Sequence, residues 1–191
     1  MTHGPRLIRM FDASSPPSKP FPGCEAVAGY IGGNTPHVWT RDEWNRASDG
    51  GKLAQLPIWV GFGEDDPAGH AEQAANAAIA LGWAAHHTPA WRAIVADVEA
   101  VKEEAWLAAF GKRLQVRGFL CWPYNSTVAL PADPPGFQVW LAQWDGLDDV
   151  PAIHDVIGHQ YRPSVPFDGT SVDLSAFMST ELSSFGHGPR R

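Results

Sequence analysis

Eight short apolar segments, separated by polar or helical ones, constrain the fold of this sequence more than any other feature. They occupy residues 7–11, 26–31, 56–62, 91–99, 116–122, 137–144, 156–161 and 171–174. Runs of this length that are rich in branched and aromatic residues are typical of strands. The first four alternate with helical segments, which indicates parallel βα units. Eight strands in a chain of 191 residues predict one TIM-like barrel of the α/β class.

Three helices are predicted between the early strands. Thr40 and Glu43 have the spacing of a capping box, at the start of a helix over residues 40–48. Acidic residues and a proline precede an Ala-rich helix over residues 68–87, and a third helix covers residues 101–114. The later strands are too closely spaced for crossover helices. We therefore expect helices around the first half of the barrel and mostly loops around the last three strands.

The chain ends and the composition set further limits. The barrel domain is predicted to cover residues 7–182, with flexible polar ends at residues 1–6 and 183–191. The net charge of -7 without Lys/Arg blocks argues against nucleic acid or an anionic membrane as a partner. No apolar run is long enough for a membrane span, and the first residues lack the apolar core of a secretion signal.

The two cysteines leave a pairing question open. Cys24 and Cys121 are not part of a C-x-x-C motif, which argues against a thiolate zinc site. One disulfide and two reduced thiols are both compatible with a domain of this size. No metal site is predicted from the sequence.

The fourth apolar segment ends in two carboxylates, Asp97 and Glu99. Side chains alternate along a strand, so these two point the same way, with Cα atoms about 6.6–7 Å apart. Mutual repulsion and burial raise the pKa of at least one acid in such a pair, as a general acid near neutral pH requires. The alternative is that both acids merely favour the N-terminus of the helix that follows.

Other candidate site residues stand where the predicted strands end, because the active site of a parallel barrel lies there. The carboxylates in these positions are Asp12, Asp97, Glu99 and Asp173. The aromatic and amide side chains are Trp59, Phe62, Trp122, Tyr124, Gln143, Trp144, Gln160 and Tyr161. Acids beside aromatic faces suit a carbohydrate ligand. The structural alternatives are turn capping by Asp12, a loop position for Asp173, rim packing by Gln143, Trp144 and Tyr161, and core positions for Trp59 and Trp122.

The order of the motifs resembles that of the glycoside hydrolase family 25 lysozymes, the N-acetylmuramidases. Their pattern has an Asp on the first strand, D-x-E on the fourth, W-x-A-x-aromatic on the sixth, Q-Y on the seventh and V-D-x-x-x-F on the last. The matching segments here are FDAS (11–14), ADVE (96–99), VWLAQW (139–144), HQY (159–161) and SVDLSAF (171–177). Gln73 and Ala74 also look like that family. Residues 39–56 look closer to uncharacterised glycoside-hydrolase-like relatives of these lysozymes.

The resemblance implies a function and a role for each acid. Glu99 is the expected general acid, and Asp97 orients the substrate N-acetyl group or stabilises the charge that develops on it. Asp12 and Asp173 line the site and hold polar groups or a water. The substrate's own N-acetyl group is a candidate internal nucleophile. The reaction would cleave the β-1,4 bond between N-acetylmuramic acid and N-acetylglucosamine in peptidoglycan, without a cofactor.

Two functions of different classes remain open. The first is a muramidase-type peptidoglycan hydrolase. Without a signal peptide it fits a bacteriophage product, made in the cytoplasm and acting at the cell wall after lysis-linked release or as part of a virion. The second is a catalytically silent barrel that serves as a structural or glycan-binding subunit of a virion or other assembly, with other virion proteins as partners. An open groove at the acids favours the enzyme, and a rim filled by side chains favours the subunit.

Overall fold

The computed structural model describes residues 6–61, 66–83, 92–98, 104–126, 138–151 and 155–180. Within these ranges the strands are β1 (Leu7–Asp12), β2 (Ala26–Gly33), β3 (Ala54–Gly61), β4 (Arg92–Val98), β5 (Phe119–Ser126), β6 (Val139–Ala142), β7 (Val156–Phe167) and β8 (Thr170–Met178). The helices are α1 (Arg41–Ala47), α2 (Pro67–Ala80) and α3 (Glu104–Val116). Each strand pairs with the next and β8 pairs with β1, so the sheet closes into a barrel. The prediction of a TIM-like α/β barrel is confirmed.

The helices follow β2, β3 and β4, as the sequence predicts. The capping box of α1 is present: the Thr40 side chain accepts from the Glu43 backbone N–H, and the Glu43 carboxylate accepts from the Thr40 N–H at 2.7 Å. α2 starts with Asp66 as its N-cap and Pro67 in its first turn. In the described part of the second half of the barrel, the strands are joined by loops and turns rather than by α-helices.

The last strand differs from a wholly parallel barrel. β8 runs antiparallel to both of its neighbours, β7 and β1, whereas all the other pairs are parallel. β7 and β8 are joined by only Asp168 and Gly169, both at positive φ. A connection of two residues makes a hairpin and is far too short for a parallel crossover.

Several predicted boundaries are wrong: α2 ends at Ala80 and not at residue 87, β7 ends at Phe167 and not at residue 161, and β8 ends at Met178 and not at residue 174. The fifth strand begins at Phe119 and not at Val116, because Val116 completes α3 and residues 117 and 118 form the turn into the strand. Gly118 takes a φ of +82° in that turn, a conformation that glycine adopts without steric cost.

Two apolar cores flank the sheet. The inner core lies inside the barrel and takes alternate residues of β1 to β4, and its largest side chains are Trp122, Trp140 and Phe177. The outer core lies between the sheet and the helices and includes Trp39, Trp44, Trp59, Trp83 and the buried alanines of α2. The period of two along each strand therefore decides which residues face the inside of the barrel.

Two predictions about the chain receive structural information, on the cysteines and on a membrane span. Cys24 and Cys121 are free thiols, and burial raises the pKa of the Cys24 thiol to about 12. Each described helix falls short of the length and apolarity needed to cross a membrane. The predicted flexible ends lie almost entirely outside the described residues.

Candidate functional site

Three carboxylates face the inside of the barrel at one end, here called the mouth, where the parallel strands finish. Asp12 continues the inward-facing series of Ile8 and Met10 on β1, and Asp97 does the same at the end of β4. Asp173 reaches the mouth near the beginning of β8, because that strand runs in the opposite direction. The Cα atoms of Asp12 and Asp173 are direct partners in the antiparallel β1–β8 pair. Asp12 and Asp97 are only 5% and 8% exposed.

The Gln160 side chain connects the carboxylates to the aromatic rim. Its Nε2 donates to Asp12 Oδ1 at 3.4 Å and to Asp173 Oδ2 at 3.3 Å. Its Oε1 accepts from the Tyr124 hydroxyl and from Trp144 Nε1, both at 2.8 Å. An indole N–H can only donate, so the contact with Trp144 fixes which end of the amide points to the acids. Gln160 is buried and has partners on both sides.

Asp173 is held by two N–H donors, one on each oxygen. Besides the Gln160 amide on Oδ2, the Ser164 backbone N–H donates to Oδ1 at 2.6 Å. Ser164 has a φ of +55° and lies where the β7–β8 register shifts, so a bulge directs its N–H toward the carboxylate. Burial raises the pKa of Asp173, and the bond from Ser164 opposes that rise.

Asp12 is the more strongly perturbed acid. Its pKa is raised well above the usual range, first by burial and then by the negative charge of Asp173, with a further contribution from Asp97. The hydrogen bond from Gln160 opposes the shift. Asp12 therefore keeps its proton to a higher pH than an ordinary aspartic acid does. Among the described residues, no group of three or more His, Cys, Asp or Glu side chains could hold a metal ion.

Tyr124 and Trp144 form the aromatic part of the mouth. Burial, followed by the charges of Asp12, Asp97 and Asp173, raises the pKa of the Tyr124 phenol, so its hydroxyl remains a donor to Gln160. Trp144 is 64% exposed although its indole nitrogen is bonded to Gln160. A ring that is held at its edge and open to solvent is a suitable platform for the C–H face of a sugar.

Three of the predicted ligand-binding aromatics lie elsewhere. Trp59 follows the inward-facing Ile58 and so points outward, where its Nε1 donates to His70 Nδ1 at 3.1 Å. Trp122 faces inward but is only 1% exposed and stacks on Phe177, below the level of the mouth. Tyr161 follows Gln160 and belongs to the outer core. Strand alternation corrects the prediction for Trp59 and Tyr161, and depth in the barrel corrects it for Trp122.

The remaining predicted site residues have different outcomes. Gln143 lies beside the mouth and is half-buried, and its backbone N–H donates to the Gln160 carbonyl at 3.1 Å. Glu99 and Phe62 lie outside the described residues, so the pairing of Glu99 with Asp97 stays a prediction.

Two residues of the mouth were not predicted from the sequence. Tyr30 is partly buried against the inner core. It follows Ala26 and Ala28 at intervals of two along β2, and this alternation could have predicted that its side chain faces the inside of the barrel. Ser164 binds Asp173 through its backbone N–H, and a backbone contact of this kind cannot be predicted from the residue type. The prolines on either side, Pro163 and Pro166, do indicate an irregular strand.

Comparisons with known proteins support the fold. No family model and no curated protein matches this sequence. Four chains of known structure match. One is described as a 1.07 Å crystal structure of an uncharacterized B. stearothermophilus protein, with a TM-score of 0.69 and 17% identity over 93% of this chain and 99% of that chain. At this identity the likeness establishes a shared fold, a single TIM-like barrel over nearly the whole of both chains.

Proposed function

We propose that this protein is a muramidase-type glycoside hydrolase, which cleaves the β-1,4 bond between N-acetylmuramic acid and N-acetylglucosamine in peptidoglycan. The observation that carries the proposal is the convergence of Asp12, Asp97 and Asp173, from three separate strands, inside one barrel mouth. The order of motifs along the sequence supports the same assignment. Glycosidases need acids with distinct protonation states around one bond.

The acids have separate roles in this proposal. Glu99, two residues beyond Asp97, donates a proton to the glycosidic oxygen as the bond breaks. Asp97 interacts with the N-acetyl group on the same sugar and stabilises the positive charge that develops there. Asp12 and Asp173, which share the Gln160 amide, bind polar groups of the sugar or a water. Trp144 provides the exposed ring on which a sugar stacks.

The test measures reducing ends released from purified peptidoglycan of several bacterial types. The wild type is compared with Glu99→Gln, and Glu25→Gln is the matched control, since Glu25 precedes β2 at the opposite end of the barrel. We expect wild type and control to release muramic acid reducing ends, identified by mass spectrometry. The Glu99→Gln rate should fall by about 100-fold or more, the contribution typical of a general acid. If a correctly folded wild type releases no reducing ends from any of the substrates, the hydrolase assignment is contradicted.

A catalytically silent glycan-binding subunit is the second candidate. Two observations favour it. Asp12 and Asp97 are buried, and the Gln160 amide is already hydrogen-bonded to Asp12 and Asp173. Side chains of the protein therefore fill part of the mouth. In that case the wild type binds insoluble peptidoglycan in a sedimentation assay without releasing reducing ends. Trp144→Ala should then weaken binding by about two- to tenfold, as loss of one aromatic platform predicts.

A further inference from the structure

His159 lies on the outer face of β7, next to Gln160, and is completely buried. Its Nδ1 is 2.9 Å from the carbonyl oxygen of Asp149, and its Nε2 is 2.6 Å from the carbonyl oxygen of Gln143. Both partners can only accept a hydrogen bond, and a neutral imidazole has only one N–H. The two contacts are therefore hydrogen bonds at the same time only when both ring nitrogens carry a proton, that is, in the imidazolium form.

The charges around His159 fit that form. The nearest carboxylate oxygens are Asp145 Oδ1, 3.6 Å from Nε2, and Asp149 Oδ1, 3.6 Å from Nδ1. From its own strand, the ring of Tyr161 lies 6.3 Å away. The paired positions on the neighbouring strands are apolar, Leu141 on β6 and Ala176 on β8. A buried cation thus has two anionic neighbours and hydrogen bonds on both nitrogens, as burial of a charge requires.

The hydrogen-bond and charged partners of the His159 ring all belong to the segment 143–151 after β6, here called the β6–β7 loop. This loop lies against β7, where the Gly146 N–H donates to the Tyr161 carbonyl at 3.0 Å. Arg9 on β1 donates to Asp148 at 2.8 Å. Trp144 lies between Gln143 and Asp145, so the two residues that flank it in sequence both approach the His159 ring.

We propose that His159 is a positioning residue: its two hydrogen bonds hold the β6–β7 loop so that Trp144 reaches Gln160 at the mouth. Without the imidazole, the two buried carbonyls lose their donors, the loop carboxylates lose their cationic partner, and Trp144 is no longer held at Gln160. Because Trp144 is the sugar platform under the proposed function, loss of His159 should weaken ligand binding without a change in the bond-breaking step.

The first test follows His159 itself. The protein is labelled with ¹⁵N-histidine, and the ring signals of His159 are assigned by loss in His159→Gln. We expect an N–H signal from each ring nitrogen of His159 in the folded wild type, because each nitrogen faces a carbonyl acceptor. A ring with only one N–H would overturn the proposal, and this measurement needs only the wild-type fold.

The second test follows Trp144 in protein labelled with 5-fluorotryptophan. Its ¹⁹F resonance, assigned by Trp144→Phe, should shift in His159→Gln, which cannot donate from both positions. The control is His37→Gln, since His37 is a partly exposed partner of Glu43 near α1, and its Trp144 resonance should match that of the wild type. A Trp144 resonance that is the same in His159→Gln as in the wild type refutes the positioning role.

A third measurement separates this inference from the proposed function. Sedimentation with purified peptidoglycan should show about two- to tenfold weaker binding by His159→Gln than by the wild type, the loss expected for one aromatic contact. If neither protein binds peptidoglycan while the Trp144 resonance still shifts in His159→Gln, the proposed function fails and the positioning role stands.

Discussion

At the scale of single residues, Gln160 has the most demanding position in the site. Its amide satisfies two donors and two carboxylates at once. Gln160→Leu keeps a similar volume but leaves the Tyr124 hydroxyl without that acceptor and Asp12 without that donor. We expect the free energy of unfolding to fall by about 1–3 kcal/mol, the cost of leaving buried polar groups unpaired.

Urea unfolding at pH 7 measures this loss. The same substitution at Gln115, which is exposed on α3, is the control and should change stability by less than about 0.5 kcal/mol. Equal stabilities for the two variants would show that the amide does not bind the carboxylates as described.

Asp12 gives the site a distinctive pH dependence. Because its pKa is raised in the folded protein, the folded state binds this proton more tightly than the unfolded chain does. Both states are protonated below about pH 4, where the raised pKa has no effect on stability. Stability then falls as the pH rises from the unfolded pKa toward the folded one.

Asp12→Asn removes this dependence, since an amide resembles the neutral acid. We expect its Tm to exceed that of the wild type at pH 7 and the difference to shrink toward pH 4, as followed by calorimetry. Asp42→Asn, on the exposed surface of α1, should not raise the Tm at either pH. A constant gap between Asp12→Asn and the wild type from pH 4 to pH 7 would mean that Asp12 ionises normally.

At the scale of elements, β7 and β8 pack closely through a glycine inside the barrel. A Cβ added at Gly158 would lie 2.3 Å from Phe177 Cε1, on the paired strand. Gly158→Ala should therefore destabilise the protein by about 1–3 kcal/mol, as overpacking of a filled core does. In the double variant with Phe177→Leu the combined loss should be smaller than the sum of the two single losses, measured by urea unfolding. If the losses of the two single variants simply add in the double variant, the strain of Gly158→Ala does not come from contact with Phe177.

The elements show what could be predicted from the sequence and what could not. Apolar periodicity and capping signals were sufficient for all eight strands and for the start of α1, because both depend on local residue patterns. The direction of β8 depends on a hairpin at Asp168 and Gly169, and Asp-Gly is itself a strong hairpin signal. That signal was hidden because the seventh strand was predicted to end at residue 161, six residues before β7 ends.

The site was predictable to a similar degree. Asp12, Asp97 and Asp173 do meet at one mouth, because strand ends determine where their side chains lie. Trp59 and Tyr161 were placed on the wrong face of the sheet. Each is next to an inward-facing residue, and neighbouring residues of a strand point to opposite faces. The roles of Ser164 and His159 depend on backbone carbonyl and N–H groups brought together by tertiary structure, which residue types do not encode.

At the scale of the whole molecule, the antiparallel β8 brings the two ends of the described chain together. Leu7 and Met178 are paired, and the Ser179 N–H donates to the Arg6 carbonyl at 2.8 Å. Both ends of the described chain therefore lie side by side at the floor of the barrel, away from the carboxylates.

Because the two ends are adjacent, they can be joined and the chain opened elsewhere without changing the arrangement of the strands in space. The two described ends can be joined by a flexible linker, with new ends between Gly51 and Lys52, in the turn that leads into β3 at the floor. Such a circular permutant should fold with a Tm within about 5 °C of the wild type, equivalent to roughly 1–2 kcal/mol, and keep the same Asp12 pH profile. A permutant that folds but lacks that profile would show that the mouth depends on chain order. If the profile is kept, the barrel can be inserted into a surface loop of a host protein with its mouth directed outward.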